Sequence, residues 1–180
     1  MRRTIILVVL LWVSDGATAQ EVSIFYGKGI GADGVAEANP NEDFFAIALH
    51  HQFQPHMAWH MYMGQCNGGV VKSSTGGNAL SSRPFVSGGM GLEYRNQYYD
   101  THFHAGIGAS LVSRTNDGAQ YAVAPHLYAS LAYEFRHAQF GMAVFEIVRP
   151  NLTDTGGHGG RWDSPLFSGL FFSFNMKTER

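Results

Sequence analysis

Residues 102–111 read His-Phe-His-Ala-Gly-Ile-Gly-Ala-Ser-Leu, and the alternation within that stretch decides the fold. Phe103, Ala105, Ile107, Ala109 and Leu111 share one parity, and His102, His104, Gly106, Gly108 and Ser110 share the other. A period of two puts alternate side chains on opposite faces of a β-strand. One face is then apolar, and the other is small or hydrogen-bonding. Glycine is too small to build the core of a soluble sandwich, but it suits the narrow interior of a small barrel. The stretch therefore predicts a barrel strand with its apolar face outward, toward lipid.

The same division extends in both directions. Upstream, Val86, Gly88, Met90, Leu92 and Tyr94 alternate with Ser87, Gly89, Gly91 and Glu93. Downstream, past the turn residues Asn116-Asp117-Gly118, Leu127, Ala129, Leu131, Tyr133 and Phe135 alternate with His126, Tyr128, Ser130, Ala132 and Glu134. Nearer the start, Phe45, Ile47, Leu49 and Phe53 oppose Ala46, Ala48, His50 and Gln52; Met57, Trp59, Met61 and Met63 oppose His56, His60, Tyr62 and Gly64. Val22, Ile24 and Tyr26 begin a first strand, Phe140, Met142 and Val144 a seventh, and Leu170, Phe172 and Phe174 close an eighth. Glycine-rich or polar stretches at 27–34 and 67–82 separate them. Eight strands of roughly ten residues have the length a tilted strand needs to cross a bilayer. A soluble lipocalin-like barrel would invert the pattern, with large apolar residues inside and charges outside.

Composition agrees. Charged residues are 14% of the chain, against ~25% in ordinary soluble domains. Aromatics reach 13%, and there are 22 glycines. The formal charge of −2 comes with no basic run, so the chain offers nothing to a nucleic-acid partner. Cys66 is the sole cysteine, so no intramolecular disulfide can form. Past residue 20 no segment is apolar and long enough for a membrane-spanning helix. A closed barrel then remains as the way to pair every backbone group within a bilayer.

The N-terminus has the order of an export signal: Arg2 and Arg3, an apolar run from Ile5 to Val13, then small residues at Ala17 and Ala19. Residues 1–19 are expected to be a signal peptide. Residues 20–180 then form one all-β domain, an eight-stranded antiparallel transmembrane barrel in a bacterial outer membrane. At the other end, Ser168-Gly169-Leu170-Phe171-Phe172-Ser173-Phe174 resembles the last-strand signal of bacterial outer-membrane barrels. That resemblance implies engagement of the barrel assembly machinery through Ser168, Gly169, Phe172 and Phe174. The pattern ends on the aromatic, whereas Asn175 to Arg180 follow here.

A closer resemblance covers about half of residues 20–180. The 102–110 strand, the strand ending Leu131-Ala132-Tyr133-Glu134-Phe135, the stretch from Gly141 to Leu152 and the aromatic last strand are similar in order to the lipid A 3-O-deacylases, PagL-type outer-membrane barrels. The resemblance implies an eight-stranded barrel that removes an ester-linked acyl chain from lipopolysaccharide. Its histidine base and serine nucleophile stand two apart in an H-x-S-N motif on a lipid-facing strand. Residues i and i+2 share a face, so the imidazole reaches the hydroxyl. This sequence departs from the motif. Glu146 stands at the histidine position, Val148 at the serine and Arg149 at the asparagine, and no H-x-S occurs anywhere. Valine cannot be a nucleophile.

Three further groups bear on chemistry. Glu146 shares the parity of Phe140, Met142 and Val144, so it is expected at a lipid-facing strand end, where Arg149 and Arg161 can pair with it or meet lipid phosphates. His50, His56, His60, His102, His104 and His126 mostly share the small-residue face. Within that set, His102 and His104 are weak metal-ligand candidates, with no carboxylate at ligand spacing beside them. Luminal packing is the stronger reading, and no cofactor is expected. Ser110 and Ser130 near His104 leave a relocated Ser-His pair open. Residues 156–160, Gly-Gly-His-Gly-Gly, read as a loop because no strand precedes them and no helix follows. Asn151-Leu152-Thr153 reads as a turn. The leading expectation is a deacylase-like barrel that has lost the catalytic dyad and serves a lipid-contacting or structural role. The alternatives are a lipid ester hydrolase with a relocated nucleophile and an unrelated OmpA-like structural barrel. A lipid-facing His-Ser pair would favour the hydrolase; a sealed, hydrogen-bonded lumen would favour the structural barrel.

Overall fold

The computed structural model describes residues 20–29, 43–67, 70–71, 80–81, 85–114, 120–148 and 166–176. The expected signal peptide, Arg149, Arg161, the 151–153 turn and the 156–160 loop lie outside these residues. The strands are β1 (Gln20–Gly29), β2 (Asp43–Gln54), β3 (Met57–Asn67), β4 (Val70–Val71), β5 (Leu80–Ser81), β6 (Phe85–Tyr98), β7 (Thr101–Arg114), β8 (Gln120–Phe135), β9 (Ala138–Ile147) and β10 (Leu166–Met176). Eight of them close a barrel in the order β1-β10-β9-β8-β7-β6-β3-β2, while β4 and β5 form a separate two-stranded ribbon. Every barrel pairing is antiparallel, and β1 meets β10 from Gln20↔Met176 to Gly29↔Phe167. Closure leaves no free sheet edge, which is the condition for stability in lipid.

The wall has two distinct ends. At one, tight connections join β2 to β3, β6 to β7 and β8 to β9. Tyr99 and Arg136 take positive φ in two of them, 53° and 59°. Two-residue hairpin turns whose twist matches that of the strands demand this conformation. At the other end lie the long connections. Within the wall, the predicted outward residues do face outward: Ile107, Leu111, Leu127, Leu131, Met90, Met142 and Leu170 are all exposed. Toward the tight turns this apolar surface becomes aromatic, with Phe53, Trp59, Tyr94, Tyr98, Tyr99, Phe103, Tyr133, Phe135, Phe140 and Phe174.

Pro125, outward in β8, is compatible with this ladder. Its carbonyl accepts the Val148 N–H at 2.8 Å, so its ring nitrogen also faces β9, where the pairing ends. No hydrogen bond to β7 is lost.

The lumen departs from the expected small-residue interior in one respect. Phe25, Phe44, Phe85, Phe145, Phe167 and Phe171 all point inward and are buried. Each sits beside another apolar residue, as in Ile24-Phe25-Tyr26 and Phe44-Phe45. Within such runs the period of two gives no contrast to read. The glycines make room for rings rather than leaving a void. A Cβ on Gly106 would lie 2.0 Å from the Tyr128 ring, and one on Gly108 would lie 2.5 Å from His126. Close approach of a ring to the backbone is what glycine allows there.

Candidate functional site

The polar side chains of the lumen gather toward the tight-turn end, supplied by strands that are mostly not neighbours in the wall. Glu93 of β6 receives the Arg95 Nε–H of the same strand, and Arg95 reaches across to Glu21 of β1 with Nη1–Oε2 at 2.5 Å. Residues 93 and 95 share a face because they are two apart. Glu93 also accepts His50 Nδ1 of β2 at 2.7 Å, and the other imidazole nitrogen, Nε2, is 2.7 Å from Ser23 Oγ of β1. His104 of β7 stands close by, with Nδ1 at 3.6 Å from Glu93. Glu93, His50, His104, Glu21 and Ser23 are each less than 5% exposed. Two buried carboxylates on one guanidinium are tolerable only because each is paired and hydrogen-bonded.

A second chain crosses nearer the middle of the barrel. Tyr62 Oη of β3 is 2.5 Å from Ser110 Oγ of β7, and Ser110 is 2.9 Å from His126 Nδ1 of β8. His126 Nε2 lies 2.6 Å from His60 Nε2 of β3. A cavity of about 40 Å³ adjoins both chains. Its lining includes Ser23, His50, His60, Tyr62, Tyr128 and Phe145. His60 Nδ1 and Tyr128 Oη are buried and have no hydrogen-bond partner among the described residues.

Toward the long connections the lumen is closed by rings. Phe44 stacks on Phe145 and Phe167, with centroids 5.1 and 4.6 Å away, and tilts against Phe25 and Phe85 at 6.1 Å each. Ile147, Val112 and Cys66 fill the same layer.

The residues singled out from the sequence separate in the structure. Glu146 faces outward on β9, partly buried, in register with Leu127 and Leu166. Val148 follows β9 and contributes its N–H to Pro125. Ser168, Phe172 and Phe174 face outward on β10, and the Phe172 and Phe174 rings meet edge-on at 4.3 Å. Gly169 faces inward, and a Cβ there would lie 2.0 Å from the Tyr26 carbonyl oxygen.

Two readings of the histidines need correction. Carboxylates do join the His102/His104 pair, from other strands: His102 Nε2 is 2.6 Å from Glu134 Oε2, and His104 faces Glu93. The two rings stand edge-on with centroids 6.2 Å apart; His102 is hydrogen-bonded to Glu134, whereas His104 Nδ1 stands 3.6 Å from a Glu93 already held by His50 and Arg95. Among the described residues no group of three or more His, Cys, Asp or Glu has metal-binding geometry. His56 is not on the luminal face. It sits exposed in the β2–β3 turn, with Nδ1 3.1 Å from the Arg95 carbonyl oxygen. Sequence reasoning missed Ser23, Glu21 and Arg95 altogether. Their only signal was luminal parity, because their partners are as many as 74 residues away.

No protein-family model matches the chain, and no curated protein matches it. Solved structures do. The N-terminal β-barrel domain of Pseudomonas aeruginosa OprF aligns with a TM-score of 0.58 at 12% identity, over 90% of this chain and 100% of that one. Ail, the attachment invasion locus protein of Yersinia pestis, aligns at 0.53 and 10% identity, over 89% of this chain and 99% of that one. Its backbone structure in a phospholipid bilayer nanodisc gives 0.52 at 9% identity. At these identities the likeness is one of fold: an eight-stranded antiparallel barrel of the outer-membrane type.

Proposed function

We propose that this chain is an outer-membrane barrel with a structural, lipid-contacting role and a lumen that does not conduct. The observation that carries the reading is the filled lumen. An ion-paired cluster around Glu93 and an aromatic layer around Phe44 leave a cavity of only about 40 Å³ between them. A pore-forming barrel would need a continuous polar channel. In the orientation usual for such barrels, the tight turns face the periplasm. The ring of Trp59, Tyr94, Phe103, Tyr133 and Phe140 then sits at the inner interface, where aromatic side chains are favoured.

Kinship with the lipid A deacylases belongs to this proposal and rests on strand order and the small-residue pattern. The positions equivalent to that dyad hold Glu146 and Val148, which offer no nucleophile, and both Ser-His hydrogen bonds described above point into the lumen. Lipid contact through Arg149 and Arg161, and recognition by the barrel assembly machinery through the β10 residues Ser168, Gly169, Phe172 and Phe174, complete the proposal.

Mass spectrometry of lipid A from cells carrying the folded chain, beside an empty-vector control, tests the chemical half. Unchanged lipid A is expected, and loss of one acyl chain would return the protein to the deacylases. Planar-bilayer recording tests the other half. Stable conductance steps from purified wild-type barrel would contradict the closed lumen.

A further inference from the structure

Independently of that reading, the luminal groups around the cavity have the arrangement of an acyl-transfer centre. We propose that Ser23 is a nucleophile activated by His50, with Glu93 as its positioning residue, and that the site accepts small, uncharged acyl esters of about acetyl size. Three observations carry this. First, Ser23 Oγ, His50 Nε2, His50 Nδ1 and Glu93 Oε2 follow one another at 2.7 Å and 2.7 Å. An ionised carboxylate only accepts, so His50 donates Nδ1–H to Glu93 and presents its Nε2 lone pair to the serine hydroxyl. Arg95 holds Glu93 from its other oxygen and is itself tied to Glu21, which fixes the carboxylate in place.

Second, the nucleophile and its base line a cavity. Its volume of about 40 Å³ exceeds the roughly 10–15 Å³ that holds one water, and it is far too small for a long acyl chain. Third, the same cavity is lined by His60 and Tyr128, whose Nδ1 and Oη have no partner among the described residues. The Tyr62–Ser110–His126–His60 chain can run in either direction; when Tyr62 donates to Ser110, Ser110 donates to His126 Nδ1. In that polarity His126 passes its Nε2–H to His60 Nε2 and an N–H remains on His60 Nδ1; in the reverse polarity His60 Nδ1 is an acceptor. The Tyr128 O–H is thus left to meet an oxyanion, joined by His60 Nδ1–H in the first polarity. The backbone N–H groups of a sheet are spent in the ladder, so side chains supply what loops supply in other folds.

The step balances. Ser23 Oγ bonds to the ester carbonyl carbon as His50 Nε2 takes its proton. The C–O bond to the alcohol then breaks, and the leaving oxygen recovers that proton from His50. Water reverses the sequence, releasing the carboxylic acid and free Ser23. A long lipid acyl chain does not fit the cavity, so this chemistry is distinct from lipid A deacylation.

The test is incubation of the folded full-length barrel, in detergent and in phospholipid vesicles, with methyl acetate, reading released methanol and the mass of the Ser23 peptide. Acetylation of Ser23, absent in Ser23→Ala and lowered at least tenfold in His50→Gln, is expected. Tyr128→Phe should slow acylation about 100-fold if its hydroxyl binds the oxyanion. Glu93→Gln should lower the maximal acylation rate and leave the half-saturating ester concentration unchanged, which general loosening of the lumen would not do. Heat-modifiable gel migration establishes that each variant is folded. Three results would each overturn the proposal: neither an acetyl group on Ser23 nor Ser23-dependent ester cleavage by folded wild type, label only on other residues, or wild-type rates in both His50→Gln and Tyr128→Phe.

Discussion

The two halves of the lumen solve the same packing problem by different physics. Near the tight turns, Glu21, His50, Glu93, Arg95, His102 and Glu134 form directional pairs. Each buried charge there depends on a particular partner at a particular distance. Near the long connections, Phe25, Phe44, Phe85, Phe145 and Phe167 fill space by shape, and any one ring touches several others. The polar half should therefore be intolerant of changes in chemistry and the aromatic half of changes in volume. The cavity lies where the two meet, bounded by Ser23 and His50 on one side and Phe145 on the other.

Arg95→Met is the strongest way to break this contrast. It strands two buried carboxylates and should cost about 3–5 kcal/mol, read as a shift in the urea midpoint of vesicle-embedded protein by tryptophan fluorescence. Arg95→Lys should recover only part of it, because one ammonium cannot reproduce the guanidinium's reach to both Glu21 and Glu93. Phe44→Ala removes the central ring of the plug. A loss of about 3–5 kcal/mol is expected by the same assay if its neighbours do not collapse inward, and a much smaller loss would mean that the aromatic half is not close-packed.

Gly106→Ala probes the border. Its new methyl would be driven into the Tyr128 ring, and overpacking of that kind costs about 1–3 kcal/mol. An unchanged midpoint would mean that Tyr128 can move aside. Phe44→Leu should be the mildest, under about 1.5 kcal/mol, since apolar character and most of the volume survive. If it proved as damaging as Arg95→Lys, the division between chemistry and shape would fail.

Legibility followed the same line. The alternation in 102–111 and its counterparts placed the outward residues, because parity is a property of each strand by itself. It also placed His50, His60, His104 and His126 inside. It failed at Phe25, Phe44, Phe145 and Phe171, where both faces are apolar and parity has nothing to separate. It failed again at His56, where a tight turn after Gln54 interrupts the strand.

By itself, then, the sequence determined strands with one apolar and one small or polar face, which in lipid would have to close on themselves because backbone groups there have no other partners. Only the tertiary structure decided which luminal groups meet. Ladder neighbours follow from chain order and register, but Arg95 with Glu21, Glu93 with His50 and His60 with His126 are joined across the interior of the barrel. Those meetings depend on the stagger with which the barrel closes, a property of all eight strands together that no single stretch carries.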